Sequence, residues 1–134
     1  LQAALGLSQL ERLDEFVDQR NELAQNYKVA LSDVPIQRQV LPEGTYSSRH
    51  LYIIRVTKQH HLNLFETFRS KGVGVNLHYM PVHLQSYYRN IGFQEGDFPE
   101  AEKYGKEAIS LPLYPNLTTE NQDYVITILK DFFA

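Results

Sequence analysis

"HLYIIRV", His50 to Val56, sets β-branched and aromatic residues side by side, with apolar side chains on both faces. A strand covered on both sides needs partner strands and a helical layer, and the flanking sequence supplies both. Downstream, Leu62 to Lys71 has helical spacing, with Leu62, Phe65 and Phe68 on one side and Gly72 placed to end it. Val73, Val75 and Leu77 then alternate with Gly74, Asn76 and His78, which predicts a strand with one apolar and one polar face. His83 to Asn90 reads as a short helix closed by Gly92. In "GDFPEAEKYGKEA", Asp97 is the expected N-cap and Pro99 the first-turn proline of a helix reaching about Ala108. "ISLPLYP" is a further strand, whose prolines assign it to an edge or end of the sheet. "LTTENQDYVITILKDFFA" predicts a final helix capped by Thr118 or Thr119, with Tyr124, Val125, Ile128, Leu129 and Phe132 inward.

Upstream, "IQRQVLPEGTYSSR" is a short strand candidate followed by a turn-rich loop. Before it, apolar residues at 10, 13, 17, 24, 27, 31 and 34, widened by Phe16, Leu23 and Ala30, predict one amphipathic helix from about residue 2 to 32. Such a helix would be ~45 Å long, and Pro35 would mark its end. The order α-β-β-α-β-α-α-β-α implies an α+β fold, a small, mostly antiparallel sheet covered by helices.

The 134 residues make one domain, and 43% hydrophobic with 22% charged residues is an ordinary globular composition. A net charge of −3 without a basic run argues against nucleic acid as a partner. The absence of cysteine excludes disulfides, thiolate catalysis and Cys-type zinc sites. No apolar run is long enough for a membrane span and no signal-peptide pattern appears, so no membrane partner and a cytoplasmic location are expected. "LQAALGLSQLERLDEF" opens in helical register with no capping residue, as expected of a piece of a longer protein cut just inside a helix.

The chemistry-bearing residues concentrate in "GVGVNLHYMPVHLQSYY", Gly72 to Tyr88. His78 stands on the polar face of a strand end, followed by Tyr79 and a Met80-Pro81 turn, where scaffolds commonly present binding groups. Imidazole, amide and phenol groups together supply donors and acceptors for hydroxyls, as on a sugar. The competing reading is a His and a Tyr satisfied by backbone carbonyls. His60 and His61 are neighbours at an exposed helix start, and His78 with His83 lacks a carboxylate close by, so no metal site is expected. No serine sits in a G-x-S-x-G turn, and "GVGVNL" enters a strand rather than a helix, unlike a phosphate loop. Lysines 28, 58, 71, 103, 106 and 130 all lie in charged or loop surroundings, so no catalytic centre is expected.

"LQAALGLSQLERLDEFVDQRNELAQNY", "HLYIIRV", "GVGVNLHYMPVHLQSYY" and "GDFPEAEKYGKEAISLPLYPNLT" together resemble the C-terminal part of DegT-type, pyridoxal-phosphate-dependent nucleotide-sugar aminotransferases. The resemblance covers essentially the whole chain. "VNLHYMPVHLQ" is most similar to the branch that makes a UDP-linked 4-amino-4,6-dideoxy sugar on the way to pseudaminic acid, with spore-coat polysaccharide enzymes beside it. It implies that residues 1–134 are the small C-terminal domain of a dimeric fold-type I transferase. The large domain, with the Schiff-base lysine and most pyridoxal phosphate contacts, would lie upstream of Leu1. This chain alone would then hold no cofactor and be catalytically silent. The implied reaction moves an amino group from glutamate to a 4-keto UDP-sugar. Asn76, Leu77, His78 and Tyr79 match the family's sugar-nucleotide contacts, with His83 and Tyr87 as neighbouring candidates and His50 entering the strand as a further one. The alternatives are a free-standing carbohydrate- or nucleotide-binding module, or a dimerisation piece built on the first helix, a seam that Arg20 and Gly6 weaken.

Overall fold

A computed structural model describes all of residues 1–134. β2 (Tyr52–Arg55) forms the middle of a three-stranded antiparallel sheet, between β1 (Gln37–Arg38) and β3 (Ala108–Leu111). Tyr52 pairs with Leu111 and Arg55 with Ala108, which sets Tyr52, Ile54, Ile109 and Leu111 on one face and Ile53, Arg55, Ala108 and Ser110 on the other. The first face is the core face. Against it pack α2 (Leu13–Ala30), α3 (Lys58–Ser70) and α6 (Thr119–Phe133), burying Tyr27, Leu31, Leu64, Phe68, Ile128 and Leu129. The fold is α+β, a small antiparallel sheet with a helical layer, and no helix is long and apolar enough to cross a membrane.

Local chemistry accounts for the boundaries. After α3, Gly72 takes φ 76°, and the bonds Val73 N–H to Phe68 O (2.9 Å) and Gly72 N–H to Arg69 O (3.1 Å) close the helix as a Schellman motif. Thr118 caps α6 by accepting from Asn121 N–H at 3.3 Å. β3 lies at the sheet edge, with Pro112 following its last residue.

Several expectations change. The single long helix is two: α1 (Gln2–Leu10) ends before Arg12, whose φ −106° and ψ 4° interrupt the ladder. No residue of α1 is buried, so no packing face holds it in line with α2. The inward stripe accordingly starts later than expected: Leu10 and Leu13 are exposed, and burial begins at Leu23. In α3, Leu62 is exposed and Leu64 takes the inward place beside Phe68. Val73 to His78 keeps its two faces, Val73 and Val75 buried, but only Asn76 pairs, in a single bridge to Ser110. Leu77 is exposed. The expected helix from His83 is a 3-10 turn (Val82–Leu84) and α4 (Ser86–Asn90), divided by the extended Gln85. α5 (Pro99–Gly105) is capped at Phe98, because Asp97 spends its carboxylate on Gln94 N–H (2.9 Å). It stops at Gly105, since Glu107 pairs with Arg55 and draws the chain into β3. Tyr124 is half exposed, tethered by its hydroxyl to Lys71 O.

Candidate functional site

The open face of the sheet carries the candidate site. Ser110, in the otherwise apolar β3, is buried and points to this side with Ile53. The Asn76 bridge, Asn76 N–H to Ser110 O (3.3 Å) and Ser110 N–H to Asn76 O (2.8 Å), lays the 73–78 segment along β3. His78 then falls two residues on, on the same face, and its Nδ1 meets Ser110 Oγ at 2.6 Å. That bond fixes the ring and leaves Nε2 without a protein partner. Tyr79 packs its ring edge-on to His78, centroids 4.5 Å apart, and is 73% exposed. Asn76 is exposed with its amide unengaged, and Leu77 projects from the opposite side of the segment. Asn76, His78 and Tyr79 thus present an amide, an imidazole nitrogen and a phenol at one edge, on a backbone anchored to the sheet. Such a set can donate to and accept from the hydroxyls of a polyol or sugar.

His83 and Tyr87 sit elsewhere. His83 is buried, Nε2 at 2.9 Å from Glu102 Oε1, with Phe98 tilted against its ring at 4.8 Å. Glu102 Oε1 also accepts from Gly96 N–H at 2.7 Å. The His83 hydrogen bond first, then the Gly96 N–H, hold the Glu102 carboxyl below the usual carboxylate range. The pair ties the 82–84 turn to α5 and leaves His83 no free nitrogen on that side. Tyr87 stands exposed on α4, its ring edge-on to Tyr88. His50 is exposed ahead of β2. His60 and His61 are less idle than an exposed helix start: the His60 ring packs on Phe132 and Phe133, and His61 Nε2–H donates to Ala108 O at 3.1 Å.

Two contributors escape a reading of the sequence, Ser110 and Glu102. The available signal for Ser110 is a lone hydroxyl inside "AISL"; for Glu102 there is none short of knowing that α5 faces the 82–84 turn. No three His, Asp or Glu side chains converge as a metal would require.

A lysine that links to an aldehyde cofactor needs a depressed pKa in an apolar pocket. Five of the six lysines are exposed, and the sixth, half-buried Lys106, pairs with Glu95 at 2.8 Å, which raises its pKa instead. The lysines of this chain do not fit that linkage.

Residues 1–130 match the DegT/DnrJ/EryC1/StrS aminotransferase family. The chain is 36% identical over 139 aligned positions to the spore coat polysaccharide biosynthesis protein SpsC of Bacillus subtilis (strain 168), covering 98% of this chain and 36% of SpsC. It superimposes with TM-score 0.91 and 31% identity on the PMP-form of Spr1654 from Streptococcus pneumoniae, over 97% of this chain and 34% of that one. Helicobacter pylori PseC, an aminotransferase involved in the biosynthesis of pseudoaminic acid, superimposes with TM-score 0.89 and 26% identity, over 98% and 36%. The chain spans about a third of the length of each of these relatives.

Proposed function

This chain belongs to the DegT/DnrJ/EryC1/StrS aminotransferase family, and we propose that it is the small, substrate-side domain of a nucleotide-sugar aminotransferase. The observation that carries the reading is the Asn76-His78-Tyr79 edge, polar and anchored to the sheet through Ser110, in a chain that family matches over residues 1–130. Bound pyridoxal phosphate carries the amino group from donor to acceptor in such enzymes. The PMP-form of Spr1654 supports that cofactor, and the surroundings of the six lysines here favour a linking lysine outside residues 1–134. The part of this chain is to hold the acceptor sugar: His78 Nε2 and the Tyr79 hydroxyl to bind hydroxyl or carbonyl oxygens of the ring, Asn76 to orient them, and Leu77 to cover an apolar edge. Tyr87, exposed on α4, is a further candidate contact, whereas His83 is committed to Glu102.

The donor is glutamate and the acceptor a 4-keto UDP-sugar destined for a surface glycan, in a cytoplasmic homodimer. Likeness to PseC favours the 4-amino-4,6-dideoxy sugar of the pseudaminic acid route, and the 36% identity to SpsC favours a spore-coat polysaccharide. The test is an amination assay on the full-length gene product loaded with pyridoxal phosphate, with glutamate and UDP-linked 4-keto-6-deoxy sugars. A 4-amino product by mass spectrometry is the expected result. Failure with every 4-keto nucleotide sugar, in a protein that does load the cofactor, overturns the reading.

A further inference from the structure

A cleft of about 620 Å³ lies on the other side of the molecule from His78, between α2, β1 and the loop through residues 39–49. Tyr52 lines it from the core face of β2, the face opposite Ser110. Lys28, Arg38 and Arg49 all line this cleft, and no aspartate or glutamate does. None of the three takes part in an ion pair. That is unexpected in a chain of net charge −3, with 16 carboxylates available for 13 basic residues.

Arg49 is the most telling. Its φ of 49° puts a side-chain-bearing residue in the left-handed region, where glycine is the usual occupant. The strain is held in place from α2: Asn21 donates to Ser47 O at 2.9 Å and Arg20 Nε to Ser48 O at 3.0 Å, while Arg49 N–H donates to Ser47 Oγ at 3.1 Å. Arg49 lines the cleft from this loop; its Nε is closed off from solvent, so the terminal guanidinium nitrogens are the donors a ligand in the cleft could meet. Burial pushes the Tyr52 phenol up, and the Arg38 and Arg49 charges pull it back, so both guanidiniums bear on the cleft floor. Ile36, Leu41 and the exposed Val40 add an apolar wall.

We propose that this cleft binds a small organic anion, with a phosphate or carboxylate group on Lys28, Arg38 and Arg49 and an apolar body against Ile36, Val40 and Leu41. Guanidinium forks match both oxyanions in bidentate fashion, and the ammonium adds a point charge. The proposal stands independently of the amino-transfer reading, because it concerns the opposite face of the sheet.

Calorimetric titration of the full-length protein with inorganic phosphate, and separately with citrate, reads the site without an activity assay. Saturable binding is expected with at least one, weakened about tenfold or more in Arg49→Gln and in Arg38→Gln. Arg69→Gln, an exposed cation on α3, should leave it unchanged. Phosphate binding tighter than citrate assigns the ligand to phosphate esters, and the reverse to carboxylates. Lys28→Gln, on an exposed helix position, covers the case in which an arginine variant fails to fold. No saturable binding of either anion up to about 10 mM overturns the proposal, as would happen if a carboxylate of the longer protein filled the cleft. Equal weakening by Arg69→Gln, or none by Lys28→Gln in a folded protein, overturns it as well.

Discussion

His78 has one ring nitrogen committed to Ser110, which fixes the ring, and one open, which can meet a ligand. Under the proposed function, His78→Ala and Tyr79→Phe in the full-length enzyme should slow use of the sugar by the equivalent of roughly 1–3 kcal/mol. The glutamate half-reaction, followed separately in single turnovers, should change far less. Equal losses in both would move these residues from sugar recognition to support of the fold or cofactor site. Glu102 makes a pH prediction. Its folded-state carboxyl lies below the ordinary 4.5, chiefly through His83, so its contribution is fully present above that value. It is lost as pH falls through the lowered pKa. In thermal melts, the stability advantage of the wild type over Glu102→Gln should therefore be constant from neutral pH to about 5 and shrink below it. An advantage that survives to about pH 2 would show that the carboxylate charge is not what matters. The Asn76 to Tyr79 cluster was legible because strand alternation and residue chemistry coincide within four positions. Ser110 and Glu102 were not, because their partners lie 32 and 19 residues away.

Among the elements, α1 and α3 illustrate opposite limits. α1 has helical sequence but buries nothing, and Gly6 within it weakens the helix by about 1 kcal/mol relative to Ala. In the 134-residue chain, amides of residues 3–10 should exchange far faster than those of Leu23 to Leu31, by hydrogen exchange at low protein concentration. Protection of 3–10 that rises with concentration would reveal self-association through Leu5, Leu7 and Leu10, which are all exposed. Strong protection independent of concentration would contradict an unpacked α1. α3 is fixed at its end by Gly72, where a Cβ would meet nothing within 4 Å, so only backbone strain opposes a side chain. Gly72→Ala should thus cost about 1–2 kcal/mol in urea unfolding, and a change near zero would remove the left-handed cap from the account of α3.

At the scale of the whole molecule, one core joins the inner sheet face to α2, α3 and α6. Phe68 is fully buried in it, and Phe68→Ala should cost about 3–5 kcal/mol. A loss below about 1 kcal/mol, or two separate unfolding transitions, would mean that the helical layer is not one cooperative unit. Periodicity and turn chemistry in the sequence by themselves determined that β2, α2, α3 and α6 exist, that the fold is α+β, that Gly72 ends a helix and that Thr118 or Thr119 begins one. These are local effects, written in residues within one or two turns of each other. Only the tertiary structure decided what depends on distant partners. It broke the first helix at Arg12, where the apolar period runs on but no packing enforces continuity. It reduced the Val73 to His78 strand to one bridge, Asn76 to Ser110. It also gathered Lys28, Arg38 and Arg49 around one cleft from a helix, a strand and a loop, an adjacency no local pattern encodes because only the packing of β1 and the 39–49 loop against α2 creates it.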